Sequence, residues 1–162
     1  MARKVRGLAK YKSQFKYNEI YFFNYMSELA KQKRIHVFDR APLVIFLDLE
    51  RTDGKVLGIN LHWIPRQYRK PFVKLVNAFF TEEMIKAGKK RPSPYFPRLF
   101  YATIKSNALF KRMSYQAIRL YFLNNIKNVY PIPREDWDRL FTSRMPKKFR
   151  SRFAYKSKNY RH

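Results

Sequence analysis

The chain has 162 residues, the usual size of one domain, and with 46% hydrophobic and 18% aromatic residues it is too apolar to be a disordered polymer. Its 36 Lys and Arg outnumber 11 Asp and Glu, giving a formal net charge of +25, a self-repelling total that calls for anionic neighbours. There is no cysteine, which excludes a disulfide framework, thiolate chemistry and a Cys-based zinc site.

In chain order, residues 1–16 carry Arg3, Lys4, Arg6, Lys10, Lys12 and Lys16 with no acid. They hold no apolar run of signal-peptide length. Tyr11, Phe15 and Tyr17 interleave rings with these cations. The aromatic segment Tyr21 to Met26 reads either as a strand or as the start of a short helix reaching Leu29. Lys31 to Arg34 follows as a solvated connector. Leu43 to Leu47 is an apolar run of strand formers, too short to span a bilayer. Asp53-Gly54 is a turn signal. In Val56 to Ile64, Ile59, Leu61 and Trp63 share one face while Asn60 and His62 share the other. The reading is two antiparallel strands, roughly 43–49 and 56–63, stopped by Pro65.

Helical spacing follows. Phe72, Leu75, Val76 and Phe79 form one stripe, with Pro71 in its first turn. Thr81-Glu82-Glu83 reads as the capped start of a second helix ending at Gly88. Lys89, Lys90 and Arg91 open a basic, proline-rich loop running to Pro97, extended because each proline restricts its predecessor. Leu99 to Lys105 is a short helix. Ser114 is read as the cap of another, striped by Tyr115, Ile118, Phe122, Ile126 and Val129 and broken by Pro131-Ile132-Pro133. Arg134 to Phe141 forms a last helical piece with Trp137 and Phe141 inward. Residues 146–162 hold Lys147, Lys148, Arg150, Arg152, Lys156, Lys158 and Arg161, again with no acid, among Phe149, Phe153, Tyr155 and Tyr160. The expected class is α+β: a small antiparallel hairpin or sheet packed by several short helices. Residues 17–145 form the single domain, and 1–16 and 146–162 are extended basic arms.

The two arms carry +13 of the net charge and the middle +12. Cations reach phosphates and rings stack on bases or enter apolar grooves; the plainer reading is that the arms only confer solubility. Arg66, Arg69, Lys70 and Lys74 crowd a helix start, where anions are favoured, or else form an exposed polar face opposite the Phe72 and Val76 stripe. Three scattered histidines make no metal centre. Asp48 and Glu50, two apart on a strand, point to one face, the arrangement a Mg²⁺-dependent nuclease needs, with Lys55 and His62 able to complete it. The alternative is a solvated strand end leading into the turn. No phosphate-binding glycine loop, nucleophile elbow or paired-histidine helix is present. The expected polyanion-binding residues are therefore the cations of the arms through Lys158, with Arg66, Arg69, Lys70, Lys89, Lys90 and Arg91. No catalytic residue, metal or cofactor is expected.

Asp39-Arg40-Ala41-Pro42-Leu43-Val44, with Leu57-Gly58-Ile59-Asn60-Leu61-His62-Trp63-Ile64-Pro65 and then Arg69, resembles a family of short virion or DNA-handling proteins of large tailed bacteriophages. The aromatic opening Tyr21 to Tyr25 and Trp137 after a proline-rich break fit the same pattern. The resemblance covers roughly residues 20–141, and Gly58 to Pro65 is its specific part. It implies a structural component of the particle at the neck, tail or baseplate, or a protein on packaged DNA ends, with no catalytic residue. The expectation is a non-enzymatic component in several symmetric copies, docked on other virion proteins, in contact with DNA and not with membrane. It would reside in the virion, and in host cytoplasm during assembly. A stand-alone DNA- or RNA-binding protein of DNA-end or ribosomal type is the alternative, and the nuclease is a third.

Overall fold

The computed structural model describes residues 14–27, 40–88, 92–108, 110–111 and 117–142. Five strands form one antiparallel sheet: β1 (Ile20–Tyr25), β2 (Leu43–Asp48), β3 (Lys55–Asn60), β4 (Ile118–Phe122) and β5 (Ile126–Ile132). Among the described residues, three helices accompany it: α1 (Arg66–Ala87), α2 (Phe96–Ser106) and α3 (Trp137–Thr142). The α+β class expected from sequence holds, with a sheet larger than the hairpin alone.

The β2–β3 hairpin forms where the sequence places it. Phe46 pairs with Gly58 and Val44 with Asn60. Gly54 sits in the connecting turn at φ 72°, a left-handed conformation that side chains disfavour. The second strand ends at Asn60, short of the expected residue 63. The Asn60 side chain accepts the His62 N–H at 3.0 Å and turns the chain into a 3₁₀ segment, Leu61–Trp63. Ile59, Leu61 and Trp63 still pack into one cluster, as the alternation predicts.

The strand order is β4-β3-β2-β1-β5. β4 and β5 are consecutive in the chain, joined only by Leu123–Asn125, yet they occupy opposite edges. A flat five-stranded sheet separates its edges by about 19 Å, whereas the four peptide links from Phe122 to Ile126 reach at most about 14 Å. The sheet must therefore curl until its edges meet. The closing contacts are present: Phe122 N–H donates to the Tyr25 hydroxyl at 3.2 Å, and Met26 N–H to the Asn125 carbonyl at 3.4 Å.

Curling creates two cores. The inner face encloses Tyr21, Phe23, Val44, Phe46, Val56, Tyr121 and Ile126, with Phe15 inserted from the segment before β1. The outer face, including Ile20, Leu43, Ile45 and Ile59, is covered by Phe72, Val76 and Phe80 of α1, Phe96, Phe100 and Ile104 of α2, and Trp137 of α3. Both faces of β2 are buried, which is why its sequence is an unbroken apolar run. Bulges adjust the fit. Phe46 faces Gly58 but Asp48 faces Leu57, so Leu47 packs outward and Leu49 inward. In β5 the irregularity opposite Phe22 and Asn24 accompanies Asn128 at φ 52°.

Four local expectations need correction. α1 is one continuous helix rather than two: the Thr81 hydroxyl donates back to the Asn77 carbonyl at 2.8 Å instead of capping a new helix. Pro71 lies inside this helix, not in its first turn. The supposed helix striped by Ile118, Phe122, Ile126 and Val129 is the β4–turn–β5 unit, and Pro131 belongs to β5. Phe15 belongs to the body rather than to the extended basic arm of residues 1–16. Phe15 is buried, and the Tyr17 hydroxyl accepts the Leu49 N–H at 3.0 Å.

Candidate nucleic-acid interface

The described residues contain 16 Lys and Arg and nine Asp and Glu, a net +7; the remaining +18 lies in the rest of the chain. Of the expected polyanion-binding residues, Arg3, Lys4, Arg6, Lys10, Lys12, Lys89, Lys90, Arg91, Lys147, Lys148, Arg150, Arg152, Lys156 and Lys158 lie outside the described residues, as do most of both arms. Lys16, Arg66, Arg69 and Lys70 lie within them.

Three of the nine acids among the described residues are held in ion pairs. Asp53 takes Arg51 Nη2 at 2.6 Å and Lys55 Nζ at 3.7 Å. The Arg51 hydrogen bonds hold the Asp53 carboxyl below the usual carboxylate range. Asp136 pairs with Arg139 at 3.6 Å, and Asp138 with Lys70 at 3.1 Å. Among the described residues, exposed Lys16, Arg66, Lys74, Arg98, Arg119, Lys127 and Arg134 meet no carboxylate within ion-pair distance. Arg119 and Lys127 were missed in the sequence because 118–129 reads there as a helix; on the edge strands, they neighbour the exposed apolar side chains Leu120, Phe122 and Tyr130. The signal that could have found them is the mixture of cations with β-branched and aromatic residues from Ile118 to Tyr130. Arg134, read in the last helical piece, opens a 3₁₀ segment, Arg134–Asp136.

Several cations lie over rings. The Arg119 guanidinium is 5.1 Å from the Trp63 centroid, Arg134 is 4.8 Å from Trp137, and Lys55 Nζ is 5.0 Å from Phe122. Ring faces hold such side chains without neutralising them, so the charges of Arg119 and Arg134 remain available to an outside anion, while Lys55 is shared with Asp53.

Arg69 departs from its expected role as an exposed contact. Its side chain is buried, and Nε donates to the Ile64 carbonyl at 2.9 Å. It thus ties α1 to the end of the β3 segment. Burial, and then the charge of Arg66, push its pKa down to about 10. Lys70 is likewise engaged, by Asp138. Arg66 alone of the three is exposed and free of a carboxylate.

The carboxylate pair proposed for a nuclease does not form as drawn. β2 ends at Asp48, and Asp48 Oδ1 accepts the Glu50 N–H at 2.9 Å, a local turn. Among the described residues, no three of His, Cys, Asp and Glu gather to hold a metal. Among the same residues, no helix is long and apolar enough to cross a membrane.

No family model, curated protein or solved structure matches this chain.

Proposed function

We propose that this protein is a non-catalytic, basic component of a nucleic-acid-containing assembly, and that its surplus cations lie on phosphate backbones. The observation that carries the reading is the surplus of exposed cations over the carboxylates that pair with cations among the described residues. With Asp53, Asp136 and Asp138 paired in place, exposed cations such as Arg66, Lys74, Arg98 and Lys127 need anions from outside the chain. A phosphate backbone is the densest such source, and each phosphate neutralised also releases counterions.

The particle we propose is a tailed-phage virion, at the neck, tail or baseplate. The Gly58 to Pro65 pattern supports it. In the fold this stretch is the end of β3, the Asn60-capped 3₁₀ turn and the entry to α1, so its residues serve architecture rather than chemistry. Docking on other virion proteins in several symmetric copies fits the exposed margin of Leu120, Phe122 and Tyr130.

The test is binding of the full-length protein to a DNA duplex across a salt series. The expected result is an affinity falling steeply with salt, with a log–log slope of about −0.9 for every phosphate contacted. Weak binding even at low salt would turn the charge toward acidic protein surfaces and leave virion docking as the function.

A further inference from the structure

Arg69 is the buried cation of the described body, 8% exposed. Its Nε bond goes to Ile64, the residue before the Pro65 that caps α1. The guanidinium is therefore folded back over the N-terminal end of the helix instead of extending along its side. That bond uses one of the five N–H groups of the fork. The Nη nitrogens hold no hydrogen bond or ion pair among the described residues, yet they are not sealed from solvent. The charged group that most affects Arg69 is Arg66, a like charge. A desolvated cation beside another cation is unfavourable until an anion joins them.

The helix end is open in the same direction. α1 has 22 residues, no side-chain cap on its N-terminal N–H groups and no acid in its first turn. The Tyr68 N–H is taken by the Pro65 carbonyl at 2.9 Å, which leaves those of Arg66 and Gln67, and with the positive end of the helix dipole they favour an anion. The Asp138 carboxylate is not the missing partner for the arginines, since it is held by the Lys70 ammonium.

We infer that Arg69, Arg66 and the first-turn N–H groups of α1 form a binding site for a single phosphate group. The open edge of a planar guanidinium suits two phosphate oxygens at once. Arg66, exposed at the first residue of α1, closes over the outer side. The inference rests on the phosphate-binding reading above and fixes where one phosphate sits. Backbone phosphodiesters and free phosphate share this chemistry.

The experiment follows the Arg69 side-chain Nε–H resonance in the full-length protein. Inorganic phosphate is titrated against sodium chloride of equal ionic strength, and then a short DNA duplex is added in place of phosphate. The expected result is a saturable shift with phosphate that chloride does not reproduce. Arg66→Ala should weaken the phosphate affinity roughly fivefold, the size of one exposed charge contact. Asp138→Asn, which releases Lys70, should strengthen it. The same shift with the duplex assigns the site to the nucleic-acid backbone; a shift with phosphate alone keeps the site and assigns it to free phosphate. A response no different from that to chloride, or an affinity unchanged in both variants, overturns the site. Should Arg69 stay silent while the duplex still binds with a steep salt dependence, only the site fails. Should the duplex also fail to bind, the wider reading falls with it.

Discussion

Inside the curled sheet, half of the ten buried side chains are aromatic, and they meet ring on ring. Phe46 lies 4.4 Å from Phe15 and stacks with Phe23 at 6.1 Å, and Tyr121 stands edge-on to Phe23 at 5.4 Å. On the outer face, the strands present mostly aliphatic side chains, Ile20, Leu43, Ile45 and Ile59 beside Phe22, and the helices bring most of the rings, with Phe80 stacked on Phe96 at 4.2 Å. The inner space is bounded by the paired strands of the curled sheet, so its contents must match a set volume. The outer space is bounded by helices that can shift against the sheet. Packing errors should therefore cost more inside than outside.

The largest effect is expected from emptying the inner core. Phe46→Ala should cost about 4 kcal/mol of unfolding free energy, read by urea titration; a loss below that of Phe80→Ala in the outer layer would break the comparison. Overfilling is next. A Cβ at Gly58 would fall within the Val44 Cγ1 methyl, with the Ile45 carbonyl and Phe46 Cδ1 each at 3.3 Å. Gly58→Ala should cost about 2 kcal/mol. Adding Val44→Ala, which removes that methyl, should return part of it as a non-additive double-mutant term. Strict additivity would mean that the inner face yields as readily as the outer.

The smallest effect appears only in alkali. Burial pushes the Tyr21 hydroxyl pKa up from 10.0 to about 12. The folded state therefore keeps this proton where the unfolded chain has lost it. The resulting stability is complete below pH 10 and declines as pH rises through 12. Tyr21→Phe should flatten the fall of Tm across that window relative to wild type. The depressed pKa of Arg69 acts in the opposite direction in both proteins, so it cancels in the difference. Parallel curves would show that Tyr21 is not desolvated inside the sheet.

Legibility in the sequence followed the same division. The β2–β3 hairpin was readable because Leu43 to Leu47 is bounded by a turn whose chemistry is local, at Asp53-Gly54. The α1 stripe was readable because a helix covering one face of a sheet keeps a single apolar side. β4 and β5 were not. They are the edge strands, and Leu120, Phe122 and Tyr130 stay exposed there, so alternation fails while the accidental spacing of Ile118, Phe122 and Ile126 imitates a helix. That misreading hid Arg119 and Lys127. The Arg66, Arg69 and Lys70 cluster was visible as composition. The inward turn of Arg69 was not, because it depends on the Ile64 carbonyl, which the Asn60 turn positions.

The strand order also sets a timetable. Ile20 pairs with Ile132, more than a hundred residues later, and α1 and α2 lie in the chain between β3 and β4. The helices and the β2–β3 hairpin rely on nearby contacts and can form early, whereas β1 waits for β5, the slow kind of pairing. Until β5 is synthesised, β1 offers an unpaired edge lined by Phe23 and Tyr25. A nascent chain in that state is exposed to edge-to-edge association with its neighbours. The surplus of positive charge then acts as a kinetic safeguard, holding incomplete copies apart until each sheet has closed on itself.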